Sequence, residues 1–205
     1  MNEKKEHIID TAVELFAEKG FEGSSIRELA QRAGVNLAMV NYYFGSKDKL
    51  FEAIVEHKAR FMRGKLDEIA ADNTMDPLQK MDAVVESYVN KIISSPSFHR
   101  LLYQELLVND RPELNNAIIR IFSKNTHTIR DIIEQGIRKK QFRKVDPQLT
   151  MATLMGTINQ VMLSEAMCVM LMNREKDFSP YTDPELRSRL VKHLKMVLHS
   201  LLLHK

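Results

Sequence analysis

The residues best suited to specific chemistry lie between Ser24 and Phe44, where polar and aromatic side chains follow a turn signal. Asn41 can both donate to and accept from the edge of an adenine, and Leu37 and Ala38 suit the methyl group of thymine. We expect these side chains to face outward from one short helix. The chemistry that this spacing predicts is the reading of base edges in a DNA groove.

Two short helices joined by a sharp turn are needed to place those side chains. Ser25 and Glu28 have the spacing of a capping box at the start of the first helix. Gly34 supplies a left-handed residue that ends this helix, and Asn36 is a preferred N-cap for the next one. The apolar positions that we expect to be buried are Ile26, Leu29, Ala30, Ala33, Val40 and Phe44. The pattern predicts a helix-turn-helix whose second helix reads the DNA.

The formal net charge of +3 is a weak sign of a polyanionic partner, and the distribution of charge is more informative. Residues 1–23 carry three bases against six acids, whereas residues 24–63 carry seven bases against four acids. We therefore expect DNA to contact a local positive face. A second basic cluster, residues 138–144, lies at the expected end of a long helix; a solvated helix end is favoured over a second nucleic-acid patch.

The composition and the punctuation of the chain predict an all-α protein. Seven glycines, six prolines and no tryptophan in 205 residues favour long helices, and no strand-like alternation occurs between turn signals. Three Asp-Pro pairs indicate helix starts, because Asp is a good N-cap and Pro is tolerated at the first helical position. Besides the two short helices, the expected helices span residues 3–19, 47–71, 77–94, 97–108, 112–140, 147–173 and 184–203.

About nine helices are thus expected, arranged as a three-helix head and a larger body. The helix-turn-helix DNA-binding domain is predicted to span residues 1–46. The fourth helix, residues 47–71, is expected to connect this head to a ligand-binding and dimerisation domain over residues 72–205.

Several other classes of protein have little support in the sequence. The single cysteine, Cys168, excludes an internal disulfide, and it is favoured as a buried hydrophobe over a redox sensor. No signal peptide is apparent, and the apolar-rich residues 151–172 hold too many polar side chains for a membrane span, so we expect a cytoplasmic protein. The histidines lack metal-ligand spacing and no catalytic constellation is visible. We therefore expect no metal, no cofactor and no enzyme activity.

A first helix that ends in Gly-Phe is followed by Ser-Ser-Ile-Arg-Glu-Leu-Ala, Gly-Val, Asn-Tyr-Tyr-Phe and Ser-Lys-Asp-Lys-Leu. This series closely resembles the tetracycline-repressor (TetR-like, or TetR/AcrR) family of bacterial transcriptional regulators. The resemblance covers about residues 4–60 and does not extend into the body. It implies a homodimer whose C-terminal domain binds a small molecule and thereby weakens operator binding.

The resemblance also implies which residues contact DNA. Ser25 and Arg27 open the helix that crosses the DNA backbone, and Tyr42 and Tyr43 match an aromatic pair that packs against sugar and phosphate. Lys47 matches a lysine at the start of the fourth helix, where its charge adds to free N–H groups. The full set is Ser25, Arg27, Asn36, Leu37, Ala38, Asn41, Tyr42, Tyr43 and Lys47. Simple surface packing remains open for Tyr43, and an ion pair with a nearby acid remains open for Arg27.

The body offers candidate surfaces for a ligand and for a second subunit. Six of the 12 methionines lie in the expected helix 147–173, where they fill core and dimer contacts or, alternatively, line an apolar pocket. The residues that we select as possible ligand contacts are Phe98, His99, Tyr103, Phe122, Met155 and Met162. The last helix, residues 184–203, carries a wide leucine-rich stripe. Together with helix 147–173 it is the candidate for an intersubunit four-helix bundle.

Taken together, these patterns predict a dimeric repressor that binds a palindromic operator and is released by a small apolar or amphipathic effector. The alternative keeps the DNA-binding head but makes the body a protein-interaction module without a small ligand. A cavity lined by Phe98, Tyr103, Phe122 and the methionines would favour the first hypothesis. A solidly packed body would favour the second.

Overall fold

A computed structural model of the chain describes residues 3–108, 110–173 and 178–204, and these residues form ten α-helices and no β-strand. The helices are α1 Glu3–Lys19, α2 Ile26–Arg32, α3 Leu37–Phe44, α4 Lys47–Ala71, α5 Pro77–Ile93, α6 Pro96–Val108, α7 Pro112–Arg138, α8 Pro147–Met162, α9 Glu165–Met172 and α10 Pro184–Leu202. The predicted all-α class is confirmed, with ten helices among the described residues where about nine were expected.

Each of the three Asp-Pro pairs begins a helix, as predicted. The Asp76 carboxylate accepts a hydrogen bond from the Gln79 N–H at 2.9 Å, and the Asp76 N–H donates to the Gln79 side chain, which completes a capping box. Asp146 caps α8, and Asp183 caps α10 by accepting from the Leu186 N–H at 2.8 Å. The proline that follows each Asp lies in the first turn, where its missing N–H has no intrahelical partner to lose.

The single helix expected over residues 147–173 is wrong, because the chain breaks into α8 and α9. The Leu163 N–H still donates to the Asn159 carbonyl, but the Ser164 hydroxyl accepts from the Met167 N–H at 3.3 Å and starts a new helix. The two helices are bent by 95° at this point. No single described helix is long and apolar enough to cross a membrane; α8 and α9 reach that length and composition only as a bent pair.

The described residues fall into two compact units. Unit 1 draws on residues 1–61 and 95–123, and unit 2 on residues 62–94 and 124–205. This grouping differs from a division after residue 71, because α6 and the first part of α7 share the buried core of the helix-turn-helix head. The assignment of separate functional domains to residues 1–46 and 72–205 stays a prediction.

The core of unit 1 is centred on three phenylalanine rings. The centroid of Phe16 lies 5.4 Å from that of Phe21 and 6.3 Å from that of Phe51, and the Phe21 and Phe51 rings meet edge-on at 5.6 Å. Such aromatic pairs add stabilisation to the area that they bury. The buried residues that α6 and α7 contribute to this core are Phe98, Leu101, Leu102, Leu114 and Ile118.

Unit 2 is built on a leucine stripe along α10. The five buried leucines of this helix are Leu186, Leu190, Leu194, Leu198 and Leu202. They pack in one cluster with apolar residues of α5, α7 and α8 and with the second half of α4. The stripe predicted on the last helix is therefore confirmed as a core stripe.

Three polar pairs link α5 to α10 beside that stripe. The imidazole Nε2 of His199 lies 2.8 Å from the Asp82 carboxylate, and Lys195 Nζ lies 2.5 Å from the Glu86 carboxylate. The Asn90 side-chain oxygen accepts two hydrogen bonds from the Arg187 guanidinium. Successive partners along α5 pair with residues that lie progressively earlier in α10, so the two helices are antiparallel.

One member of the basic cluster at residues 138–144 has a structural role. The Arg143 N–H donates to the Leu202 carbonyl at 2.8 Å, and the Arg143 guanidinium donates to the carbonyls of Leu201 and Ser200. Arg143 thus satisfies the carbonyls that are left unpaired at the C-terminal end of α10. For this residue the helix-end interpretation is favoured over a nucleic-acid patch.

Gly136 in α7 provides the first test of this packing. A Cβ atom at Gly136 would lie 2.1 Å from the buried Phe142 ring, so Gly136→Ala is expected to lower the free energy of unfolding by about 1–3 kcal/mol. The matched control is Gly64→Ala in α4, which has no neighbouring atom within 4 Å. The control should gain about 1 kcal/mol from helix propensity alone. Equal denaturant midpoints for the two variants would contradict the described contact.

Candidate nucleic-acid interface

The first helix of the turn motif is capped by Ser25. The Ser25 hydroxyl accepts a hydrogen bond from the Glu28 N–H at 3.1 Å, which is one half of the predicted capping box. The Glu28 carboxylate forms an ion pair with Lys19 rather than returning to the Ser25 N–H. Ser25 therefore has a defined structural role, and its DNA contact stays a prediction.

The turn between α2 and α3 is closed by backbone hydrogen bonds around Gly34. Gly34 has a φ of +64°, its N–H donates to the Gln31 carbonyl, and the Val35 N–H donates to the Ala30 carbonyl at 3.0 Å. This is the Schellman arrangement that ends a helix at a left-handed residue. The His7 imidazole lies 3.1 Å from the Ala33 carbonyl and ties the turn to α1.

The second helix of the motif, α3, has one buried and one exposed face. Its N-cap is Asn36, whose side-chain oxygen accepts from the Met39 N–H at 2.7 Å, as predicted. Val40 and Phe44 are buried. The residues left on the outer face are Leu37, Ala38, Asn41 and Tyr42. The structure thus brings together Leu37, Ala38 and Asn41, which the sequence assigned to base reading, beside Tyr42, which was assigned to sugar and phosphate.

The two adjacent tyrosines have different environments. Tyr42 is 85% exposed, whereas Tyr43 is half-buried and packs against the core of unit 1. The Tyr43 ring centroid lies 6.1 Å from that of Phe44. This environment favours the packing interpretation for Tyr43 and leaves Tyr42 as the aromatic side chain available to DNA.

Much of the positive charge in unit 1 is neutralised by the protein's own acids. The Arg32 guanidinium binds the Glu18 carboxylate in a two-pronged pair at 2.5 and 2.6 Å, and Lys58 lies 2.8 Å from Asp10. The same Arg32 guanidinium holds the pKa of the Glu18 carboxyl below its usual value. Arg27 is exposed and forms no ion pair with any described residue. The ion-pair alternative raised for Arg27 is therefore not favoured.

Lys47 begins α4 and lies against aromatic rings. Its Nζ is 4.3 Å from the centroid of Phe21 and 5.9 Å from that of Phe16. Partial burial lowers the pKa of the Lys47 ammonium, Glu22 counteracts the shift, and Arg111 adds to it. Lys47 is therefore a half-buried cation that packs against two aromatic rings at a helix N-terminus. Such a position is suited to binding a phosphate group.

The six residues selected as possible ligand contacts are divided between the two units. Phe98 and His99 are buried in α6, and Phe98 and Phe122 belong to the core of unit 1. The His99 ring meets the Tyr103 ring edge-on at 5.1 Å. Met155 and Met162 belong to the core of unit 2. The structure therefore does not gather the six into one compact unit.

Unit 2 contains a cavity of about 50 Å³ between four of its helices. The lining residues are Val84, Val85 and Tyr88 of α5, Thr126 and Ile129 of α7, Met151, Leu154, Met155 and Ile158 of α8, and Leu194 of α10. Met155 is the one predicted ligand residue in this lining. The α5 residues were missed because their spacing is that of an ordinary core stripe. The lining carries no charged side chain, so it suits an apolar group.

Cys168 is fully buried in unit 2, and burial raises the pKa of its thiol. A thiol that is buried and protonated is a poor nucleophile. The prediction that Cys168 is a buried hydrophobe is confirmed. Within the described part of the chain, no group of three or more His, Cys, Asp or Glu side chains could hold a metal ion.

Two segments of this chain match families of known proteins. Residues 8–54 match the family described as "Bacterial regulatory proteins, tetR family", and residues 74–163 match "Tetracyclin repressor-like, C-terminal domain". The HTH-type transcriptional repressor NicS of Pseudomonas putida is 31% identical over 152 residues, which are 74% of this chain and 71% of NicS.

Solved structures with the same fold cover almost the whole chain. The putative fatty acid metabolism regulator of Clostridium perfringens superposes with a TM-score of 0.77 at 18% identity, over 97% of this chain and all of that one. The transcriptional regulator FadR of Bacillus subtilis, in complex with stearoyl-CoA, superposes with a TM-score of 0.72 at 20% identity, over 92% and 96%. At these identities the likeness shows the fold.

The contrast between the two tyrosines gives a test of the outer face of α3. Tyr42→Ala is expected to weaken binding to duplex DNA about tenfold, or about 1.4 kcal/mol, with little change in melting temperature, because the ring is exposed. Tyr43→Ala should instead lower the free energy of unfolding by about 2 kcal/mol, because it removes a packed ring. Fluorescence anisotropy and thermal melts measure the two effects. Unchanged DNA affinity of Tyr42→Ala would reject its assigned role.

Proposed function

The chain belongs to the tetR family of bacterial regulatory proteins and is a transcriptional regulator, and we propose that it is a dimeric, effector-released repressor. In this proposal a palindromic operator is bound by the helix-turn-helix, and a small apolar or amphipathic effector weakens that binding. A regulator that binds chromosomal DNA acts in the cytoplasm. The similar NicS protein is named a repressor, which supports repression rather than activation.

The observation that carries the proposal is the exposed face of α3. Leu37, Ala38 and Asn41 lie outward while Val40 and Phe44 fix the helix from behind. Asn41 supplies hydrogen bonds to a base edge, and the two apolar side chains suit thymine methyl groups. Since the polar display is sparse, we expect DNA shape to contribute to recognition.

Phosphate contacts complete the proposed interface. Arg27 is an exposed cation without an ion-pair partner among the described residues, and Lys47 is a cation at a helix N-terminus. Tyr42 belongs to the same motif, is exposed to solvent, and offers an aromatic ring and a hydroxyl. Contacts of this kind fix the orientation of a protein on the duplex, while the α3 face specifies the sequence.

A two-fold dimer is the proposed assembly, through α8 to α10. These helices expose several large apolar side chains, namely Leu149, Met167, Met170, Leu171 and Met196. An exposed apolar surface of this kind is typical of an interface. A two-fold dimer presents two α3 helices to successive major grooves, and the operator then mirrors the symmetry of the protein.

The effector is proposed to enter the cavity of unit 2. Its present volume of about 50 Å³ is far below the roughly 300–1,000 Å³ of ligand sites, so Met151 and Met155 must change rotamer to admit a ligand. Methionine is suited to this because its side chain is flexible and polarisable. The similar FadR structure holds stearoyl-CoA, and an acyl-like apolar chain is compatible with the uncharged lining here.

Release from DNA is proposed to be a shift between two populations of the dimer. The effector favours a state in which the two reading helices no longer fit successive grooves. The connector is α4, since Lys47–Phe61 belong to unit 1 and residues 62–71 to unit 2. A change in unit 2 can therefore reach the head along one continuous helix.

Selection of bound fragments from random duplex DNA is the direct test of this function. The full-length protein is expected to enrich a palindromic sequence, because each subunit contributes one α3. Repeating the selection with fatty acids and acyl-CoA thioesters of graded chain length should reduce recovery of that sequence at least tenfold for one class.

Absence of any enriched palindrome would overturn the DNA-binding proposal. A palindrome whose recovery no apolar ligand changes would instead favour a body that binds another protein.

The proposed interface can be tested separately from DNA. Met196→Lys places a charge on an exposed apolar position of α10 and is expected to weaken dimerisation at least tenfold, because the ammonium would be desolvated at the interface. The control is Leu107→Lys, an even more exposed apolar position in unit 1. Sedimentation velocity distinguishes the monomer from the dimer. A dimer that persists in Met196→Lys would contradict this assignment.

A further inference from the structure

The Phe21 ring is in contact with two cations. The guanidinium carbon of Arg111 lies 3.7 Å from the ring centroid, and Lys47 Nζ lies 4.3 Å from it. Two carboxylates complete the group, those of Glu22 and Glu105, and both bind Arg111. We call these five residues the Phe21 cluster. All five belong to unit 1, and Arg111 lies just before α7.

We propose that Arg111 is a positioning residue for Lys47, which keeps the Lys47 ammonium available for a DNA phosphate. Arg111 does so in two ways: it holds the Phe21 ring on which Lys47 lies, and it occupies the Glu22 carboxylate that would otherwise bind Lys47. The inference rests on the proposed phosphate contact of Lys47.

Arg111 is itself fixed by a buried carboxylate. Glu105 in α6 is only 5% exposed, and a buried carboxylate is costly unless it is paired. The Arg111 Nε donates to one Glu105 oxygen at 3.0 Å, and a second guanidinium nitrogen binds the other oxygen. Such a forked pair fixes the plane of the guanidinium as well as its position. Arg111 therefore presents a rigid cation to its other two partners.

The remaining guanidinium nitrogen of Arg111 binds Glu22. The distance from Nη1 to the Glu22 carboxylate is 2.5 Å, and the Glu22 side chain is otherwise largely exposed. Glu22 also acts on Lys47, since its charge opposes the lowering of the Lys47 pKa. Glu22 thus interacts with both cations, and Arg111 holds it through a direct ion pair. Without Arg111, the flexible carboxylate would be free to neutralise Lys47 and compete with phosphate.

The Phe21 ring, which contacts both cations, offsets part of their mutual repulsion. A phenyl ring carries negative charge density on its faces and attracts a cation within about 6 Å of its centroid. Phe21 is itself held by the rings of Phe16 and Phe51. Lys47 is consequently ordered before DNA arrives, which reduces the side-chain entropy lost on binding. Arg111 contributes to that order without needing to touch DNA.

Salt titrations of DNA binding separate this role from a general structural one. Full-length protein is titrated with mixed-sequence duplex DNA, since nonspecific affinity depends on phosphate contacts and its logarithm falls linearly with the logarithm of salt concentration. Lys47→Met is expected to lower the slope by about one. Arg111→Met is expected to weaken binding about threefold to tenfold, and to have no further effect when Lys47 is already methionine.

A rescue and a matched control sharpen the test. Glu22→Gln removes the competing carboxylate and is expected to restore most of the affinity lost in Arg111→Met. Arg32→Met is the control, because Arg32 also forms a forked pair with a glutamate in unit 1 but does not belong to the Phe21 cluster. Any loss of DNA affinity in Arg32→Met should add to the loss in Lys47→Met.

Arg111→Met leaves Glu105 buried without its partner, so Arg111→Lys is the second variant. Lysine keeps a cation beside Glu105 but cannot bind Glu105 and Glu22 at once through a planar fork. Arg111→Lys should lose less DNA affinity than Arg111→Met, and this loss should also disappear when Lys47 is already methionine. Its melting temperature should stay close to that of the unsubstituted protein.

Two outcomes overturn the proposal, and they differ. If the Arg111 substitutions weaken binding equally whether or not Lys47 is present, Arg111 acts by another route. If Lys47→Met leaves both affinity and salt slope unchanged, the proposed phosphate contact fails and the role of Arg111 fails with it. Unsubstituted protein that does not bind duplex DNA would refute the proposed function itself.

Discussion

The positive φ of Gly34 is the constraint on which the whole DNA-binding head depends. A residue with a side chain pays a steric cost in that conformation, whereas glycine adopts it freely. The turn it allows lets α2 end and α3 begin within four residues. Val40 and Phe44 then point into the core of unit 1, and the opposite face of α3 is left to solvent. A different turn would rotate the reading face toward the core.

Local signals in the sequence predicted most of the helix boundaries. Asp76, Asp146 and Asp183 begin helices because a carboxylate N-cap followed by proline is readable from adjacent residues alone. The break at Ser164 was missed, because the methionine-rich run around it keeps good helix propensity on both sides. The Ser164-Glu165 pair was the available signal, a possible N-cap followed by an acid in the first turn.

The candidate site was less predictable than the fold, because it depends on residues far apart in the chain. Counting charges gave residues 24–63 an excess of bases, but Lys58 is paired with Asp10, and Arg32 with Glu18. The cavity residues were also missed: aromatic side chains of α6 were chosen by type, whereas the cavity depends on how well four helices fill the space between them. No periodicity in the sequence reports such a packing defect.

The three polar pairs between α5 and α10 limit how unit 2 can deform. Separating α10 from α5 would break the pairs of His199, Lys195 and Arg187 together, so the two helices are joined at three points. Both helices wall the cavity, through Val84 on one side and Leu194 on the other. These two walls are therefore held together by polar contacts as well as by apolar packing. A ligand that enlarges this cavity would therefore have to displace side chains of α7 and α8, such as Met151 and Met155, rather than separate α5 from α10.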